Sequence, residues 1–167
     1  MKQLLKDYKG DLRIVYKHFI VHPQTATSPA LAACAAGKQG KWIAMEKLIW
    51  EKGYVVRDFS ESNMETLARQ AKLNMNKFRK DRNGDCKALV KRDQADLSQV
   101  GTTGTPAFYI NGRFLSGARP IDQFKTLIDE ELAKAKKRLR EDKSLSRKNY
   151  YDREVLNKGL TKLAPLP

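Results

Sequence analysis

The 167-residue sequence has few groups able to bind a metal or act as nucleophilic thiols: two cysteines, Cys34 and Cys86, and two histidines, His18 and His22. These four make no metal-ligand pattern, so no metal is expected. Both histidines flank the end of an apolar stretch and read as surface or turn residues rather than ligands. A disulfide between Cys34 and Cys86 stays open, because spacing alone does not test its geometry. Cysteine usage therefore leaves the redox compartment open as well. No apolar run approaches the roughly 18 residues that span a bilayer as a helix. The opening Met1-Lys-Gln-Leu-Leu-Lys-Asp-Tyr8 has no apolar h-region and no small-residue cleavage site, so it does not read as a signal peptide. With Leu4, Leu5 and Tyr8 on one side it resembles the second half of an amphipathic helix, and a helix without a cap hints at a missing N-terminal piece.

Acidic groups are scarce too. Nineteen Asp and Glu face 33 Lys and Arg, a net charge of +14. That excess favours nucleic acid, anionic lipid or acidic proteins as partners, or is simply a solvated basic surface. Nothing focuses it on nucleic acid: helix-turn-helix, aromatic RNP and zinc-finger signatures are all missing. With 41% hydrophobic and 31% charged residues, the chain is expected to fold around a core.

Leu12 to Val21 is rich in β-branched and aromatic residues between Gly10-Asp11 and His22-Pro23, and predicts a strand. Ser28-Pro29 predicts a helix start, followed by an alanine-rich stretch holding Cys34 and interrupted by Gly37 and Gly40. Trp42, Met45, Leu48 and Ile49 recur at helical spacing, and Gly53 ends that piece. Ser60 or Ser62 caps a helix through Met64, Leu67, Ala68 and Ala71. Asn74 opens a short segment, and Asp85 caps a helix to about Val100. Cys34, on an apolar helix face, reads as a buried structural thiol. Cys86, near a helix start, reads as a packing or half-exposed inert thiol. Ala107 to Ile110, the Asn111-Gly112 turn and Arg113 to Ser116 predict a type I′ hairpin. Pro120 starts an amphipathic helix with Ile121, Phe124, Leu127, Ile128 and Leu132 on one face. Beyond Lys134 the chain turns strongly basic, and Tyr150 to Leu160 predicts a last short helix.

Strand, helical insertion, Thr-Pro, strand, Asn-Gly turn, strand and helix follow in that order. Over Val100 to Pro120, centred on Gly104-Thr105-Pro106, the sequence resembles the DsbA-like branch of the thioredoxin superfamily. Leu12 to Phe19, the alanine-rich helix and Gln39-Gly-Lys-Trp42 resemble it as well, so the likeness covers roughly residues 1 to 135. It implies an α/β thioredoxin-like fold with a helical insertion, here lacking the N-terminal central strand and the redox motif. Residues 1–140 would form an incomplete domain, with the insertion at about 23–100. Residues 141–167 would be a basic C-terminal extension packed on it. The resemblance further implies a cis Thr105-Pro106 peptide whose loop, Gly104, Thr105 and Pro106, holds the backbone of an extended substrate.

The family's redox pair is a Cys-x-x-Cys at a helix start, where the first thiol is activated and the second resolves the mixed disulfide. This chain has none, so no catalytic residue is assigned. Two functions are expected to compete. One is a thiol–disulfide oxidoreductase domain acting on cysteine-containing polypeptides, inactive as this chain. The other is a redox-inactive module that holds unfolded polypeptides or an anionic partner. Neither needs a cofactor. The family works mostly in the periplasm or elsewhere outside the cytoplasm. Without the central strand, the strands at Leu12–Val21 and after Pro106 would each expose an edge. Upstream residues, direct pairing of the two strands, or a second copy in a homodimer would cover those edges.

Overall fold

The computed structural model describes residues 1–158. The chain divides into two compact units, one of residues 1–16 and 98–167, the other of residues 17–97. The described residues are mostly helical, with one small two-stranded sheet between a run of helices and a long last helix.

The unit of residues 17–97 is helical. It holds α2 (Pro23–Gly37), α3 (Trp42–Leu48), a π-helical turn (Ile49–Tyr54), α4 (Glu61–Gln70), α5 (Met75–Asn83) and most of α6 (Asp85–Gln99). Alanines at 32, 35 and 36 are fully buried, and so are Met45, Met64 and Phe78. Side chains no larger than a methyl group let α2 approach its neighbours closely, and Met and Phe fill the remaining space. Ser60 and Asn74 cap α4 and α5, accepting from the main-chain N–H groups of Asn63 (3.3 Å) and Lys77 (3.0 Å). Cys34 of α2 and Cys86 of α6 form a disulfide. The disulfide that the spacing left open is present; both cysteines are buried, Cys34 as expected and Cys86 more deeply than the half-exposed position allowed for it, and neither is a thiol.

α2 starts at Pro23, not at Pro29, which lies inside it. Pro23 occupies the first turn, where its missing N–H costs no bond. Pro29 has no N–H to donate to the carbonyl of Thr25, one turn before it on the exposed first turn of the helix.

The other unit holds α1 (Lys2–Asp7), the antiparallel pair β1 (Ala107–Ile110) and β2 (Arg113–Ser116), α7 (Ile121–Glu141) and a π-helical turn (Tyr151–Leu156). Asn111 and Gly112 both take positive φ, 47° and 91°, as a type I′ turn requires. Leu4, Phe124 and Ile128 are the buried centre, with Tyr8, Leu12, Phe108, Ile110 and Leu115 packed on it. Phe108 meets Phe124 edge to face at 4.8 Å. The Tyr8 hydroxyl donates to Asp129 (2.7 Å) and Lys125 pairs with Asp7 (2.8 Å), fastening α1 to α7. Arg147 donates to the Gly10 carbonyl (2.7 Å) and pairs with Asp11. The short helix expected up to Leu160 extends beyond the described residues.

No strand forms over Leu12–Val21. Two of the segment's main-chain donors go to side chains of α6 instead of a ladder. His18 N–H reaches Asp93 Oδ2 (3.0 Å) and Ile20 N–H reaches Gln94 Oε1 (2.6 Å). The only sheet among the described residues is β1–β2, so direct pairing of this segment with β1, one of the three ways offered to cover those edges, does not occur. His18 is also not a surface residue: it is buried, with its ring 5.3 Å from that of Trp42.

Candidate functional site

Gly104, Thr105 and Pro106 lie together in the loop that enters β1, and the Thr105–Pro106 peptide bond is cis. Thr105 and Pro106 are exposed. A Cβ placed on Gly104 or on Gly117 would meet nothing within 4 Å, so both sides of the loop open onto free space. Gly117 N–H donates to the Pro106 carbonyl at 2.8 Å and carries the hairpin's hydrogen bonding on to the loop.

The register decides which main-chain groups face outward. Ile110 pairs with Arg113 across a two-residue turn, Phe108 with Leu115, and Pro106 accepts from Gly117. In an antiparallel pair the bonded positions alternate. The N–H and C=O of Ala107 and Tyr109 therefore point away from β2, along the outer edge of β1. Among the described residues no other strand pairs with that edge.

The loop is held by a staple that sequence reasoning missed. The Tyr109 hydroxyl donates to the Val100 carbonyl (3.0 Å) and lies 2.8 Å from Thr102 Oγ1. Its single proton is spent on Val100, so Thr102 donates to Tyr109. Thr102 is buried. Tyr109 also lies against Phe114 of β2, with ring centroids 5.1 Å apart. The signal was strand alternation: with Phe108 turned into the core, Tyr109 must turn the other way, toward the loop that begins at Val100.

Neither cysteine of this chain is a free thiol. Cys34 and Cys86 are the chain's two cysteines, they are bonded to each other, and they are 4% and 0% exposed. A thiolate nucleophile must be unpaired and accessible. Among the described residues no cluster of His, Cys, Asp or Glu could hold a metal ion.

Another polar group lies in the helical unit. Asp93 is buried and accepts from Lys17 Nζ (3.0 Å) besides His18 N–H. Lys17 also reaches Asp96 at 3.3 Å. Burial lowers the pKa of His18 below its ordinary 6.5, and the Asp93 charge opposes that shift. The cluster ties the Lys17–Ile20 segment to α6.

Two curated proteins are similar over most of this chain. Na(+)/H(+) antiporter NhaA 1 of Salinispora arenicola is 30% identical over 155 residues, covering 89% of this chain and 22% of that protein. Na(+)/H(+) antiporter NhaA 3 of Salinispora tropica is 32% identical over 144 residues, covering 83% and 21%. The chain thus spans about a fifth of the length of the curated relatives it matches. Among the described residues no helix is long and apolar enough to cross a membrane. No solved structure matches the chain. The thioredoxin family model matches residues 1–130, a span that takes in the helical unit, the Thr-Pro loop, the hairpin and the first half of α7. The chain belongs to the thioredoxin family.

Proposed function

We propose that this chain is a DsbA-like thioredoxin domain that holds extended polypeptides, cysteine-bearing or unfolded, and performs no thiol exchange with its own two cysteines. The exposed cis Thr105–Pro106 loop carries the reading. Directly after the exposed Thr105-Pro106, the main chain of Ala107 and Tyr109 offers donors and acceptors to an added strand. Gly104 and Gly117 leave space for that strand's side chains. The buried Cys34–Cys86 disulfide supports work outside the cytoplasm, where such bonds persist. The likeness to proteins named as Na(+)/H(+) antiporters supports a place beside a membrane transporter, as a segment of a longer protein or as its companion.

Two assays test the reading. In the first, a fluorescent, reduced and unfolded model polypeptide is titrated with the chain and followed by anisotropy. Ala107→Pro removes an outward N–H but no β1–β2 bond, and should weaken binding at least fivefold. Equal binding by this variant, at unchanged circular dichroism, would refute strand addition. In the second, insulin disulfides should be reduced no faster with the chain than without it. Measurable catalysis would return the domain to the oxidoreductases proper.

The other reading is an active oxidoreductase whose redox pair lies outside these residues. Family membership supports it. The intact mass of the mature protein from its own cells decides: a mass well above 19.0 kDa, with a Cys-x-x-Cys in the added residues, would favour it.

A further inference from the structure

The two residues that make the hairpin turn are also a chemically labile pair. The sequence holds two Asn-Gly pairs, Asn83-Gly84 and Asn111-Gly112. Asparagine is the less durable for having glycine next: the following nitrogen is unshielded and can attack the side-chain amide. The structure separates the two pairs.

Asn111 and Gly112 are both exposed, at the tip between β1 and β2. A Cβ on Gly112 would meet nothing within 4 Å. Among the described residues neither the Asn111 side-chain amide nor the Gly112 N–H has a hydrogen-bond partner. The turn is fastened at its flanks, where Ile110 pairs with Arg113. The peptide that joins Asn111 to Gly112 therefore rotates without breaking a bond of the ladder. Type I′ and type II′ turns are both hairpin turns and differ by a flip of this central peptide. The φ of Asn111 is 47°, in the positive region that both turns need at that position. Gly112 has no Cβ and takes either sign of φ. The flip carries ψ of Asn111 to about −120°, the type II′ value. There the Gly112 nitrogen stands against the side-chain carbonyl carbon, placed to close a succinimide ring.

Asn83-Gly84 lacks this freedom. Asn83 is the last residue of α5, and the Gly84 N–H donates to the Lys80 carbonyl at 3.0 Å. A Cβ on Gly84 would lie 3.1 Å from the same oxygen, so the backbone is pressed against the last helical turn. Just beyond, Asp85 pairs with Lys38 and Cys86 is bonded to Cys34. Rotating this peptide costs a hydrogen bond at the helix end.

We propose that Asn111 is a site of spontaneous deamidation in the folded protein and that the hairpin tip is converted in part to isoaspartate. The Gly112 nitrogen gives up its proton to hydroxide and bonds to Asn111 Cγ. The bond from Cγ to Nδ2 breaks, and Nδ2 leaves as ammonia with a proton from water. Water then opens the ring. Addition at Cγ leaves aspartate. Addition at the main-chain carbonyl carbon leaves isoaspartate, in which the chain runs through the side chain. One water is consumed and one ammonia released for each asparagine. Either product brings a negative charge to the tip, and isoaspartate also lengthens the backbone by one atom. Turn type and loop length set the register of a hairpin, so the extra atom unseats the Ile110–Arg113 pair, whereas aspartate keeps the turn. The site does not depend on what the Thr105-Pro106 loop holds.

The test incubates the folded, oxidised chain at mildly alkaline pH, then reduces it and cuts it with trypsin. Asn83 falls in the peptide 83–87 and Asn111 in 93–113. Mass spectrometry follows deamidation in each peptide, and an isoaspartyl methyltransferase labels isoaspartate. In the folded chain, product at Asn111 builds up at least tenfold faster than at Asn83. In the unfolded, reduced chain the two react at similar rates. Asn111→Gln removes the labelling of the hairpin peptide. The purified isoaspartate form melts below the parent, while Asn111→Asp melts close to it. Equal rates at the two sites in the folded chain would overturn the proposal, since the turn would then select nothing. So would reaction at Asn111 only after unfolding, because the turn would then protect it. An isoaspartate form as stable as Asn111→Asp would overturn the effect on the hairpin.

Discussion

The Tyr109 hydroxyl does more for the loop than any other single atom described above. Tyr109→Phe keeps the ring against Phe114 but strands the buried Thr102 hydroxyl and the Val100 carbonyl. A buried polar group left without a partner costs ~1–3 kcal/mol. Chemical denaturation should show a loss of that size, and the anisotropy titration should show weaker polypeptide binding as the loop before Pro106 loosens. His18 sets a pH dependence. Burial holds its folded pKa below the ordinary 6.5, so below that value the unfolded chain takes up the proton more readily. Stability is therefore full above about pH 6.5 and falls as the pH drops through it. Denaturation midpoints between pH 7 and pH 5 should decline in the parent and decline less in His18→Gln. An equal slope in both would mean that His18 is not the group responsible.

Between elements, the Cys34–Cys86 bond is the strongest single constraint on the helical unit. It closes a 52-residue separation between α2 and α6. Loop-closure entropy for that length is ~4 kcal/mol, before any native strain or residual unfolded structure is counted. Replacing both cysteines by alanine, or reducing the protein, should lower the thermal midpoint sharply. A drop of only a degree or two would mean that the apolar core alone holds these helices. What could be read from the sequence follows the same division between local and distant partners. The Asn111-Gly112 hairpin, a serine cap at 60 or 62, a segment opening at Asn74 and the amphipathic α7 depend on residues a few positions apart, and all were legible, although only the structure chooses Ser60 and makes Asn74 a cap. The strand expected at Leu12–Val21 was not, because composition records a suitable side-chain set but not a neighbouring strand. The groups that bind the segment, Asp93 and Gln94, lie 75 and 74 positions away. The start of α2 failed for a smaller reason: His22-Pro23 was read as the end of that strand when Pro23 was opening the helix. Gly104, Thr105 and Pro106 could be singled out because their signature is contiguous. The Tyr109 staple could not, since it depends on which way a side chain turns once the backbone is fixed.

At the scale of the whole molecule, a net charge of +14 makes any weak anionic contact salt-dependent, so the polypeptide titration belongs at near-physiological ionic strength. The arrangement of the two units has a consequence of its own. Residues 17–97 form one uninterrupted stretch with their own apolar core, their own caps and their own covalent crosslink, while the unit around the hairpin is assembled from both sides of it. The stretch should behave as a portable cassette: expressed by itself under oxidising conditions, it should fold and melt cooperatively, and it should transplant into an unrelated host loop.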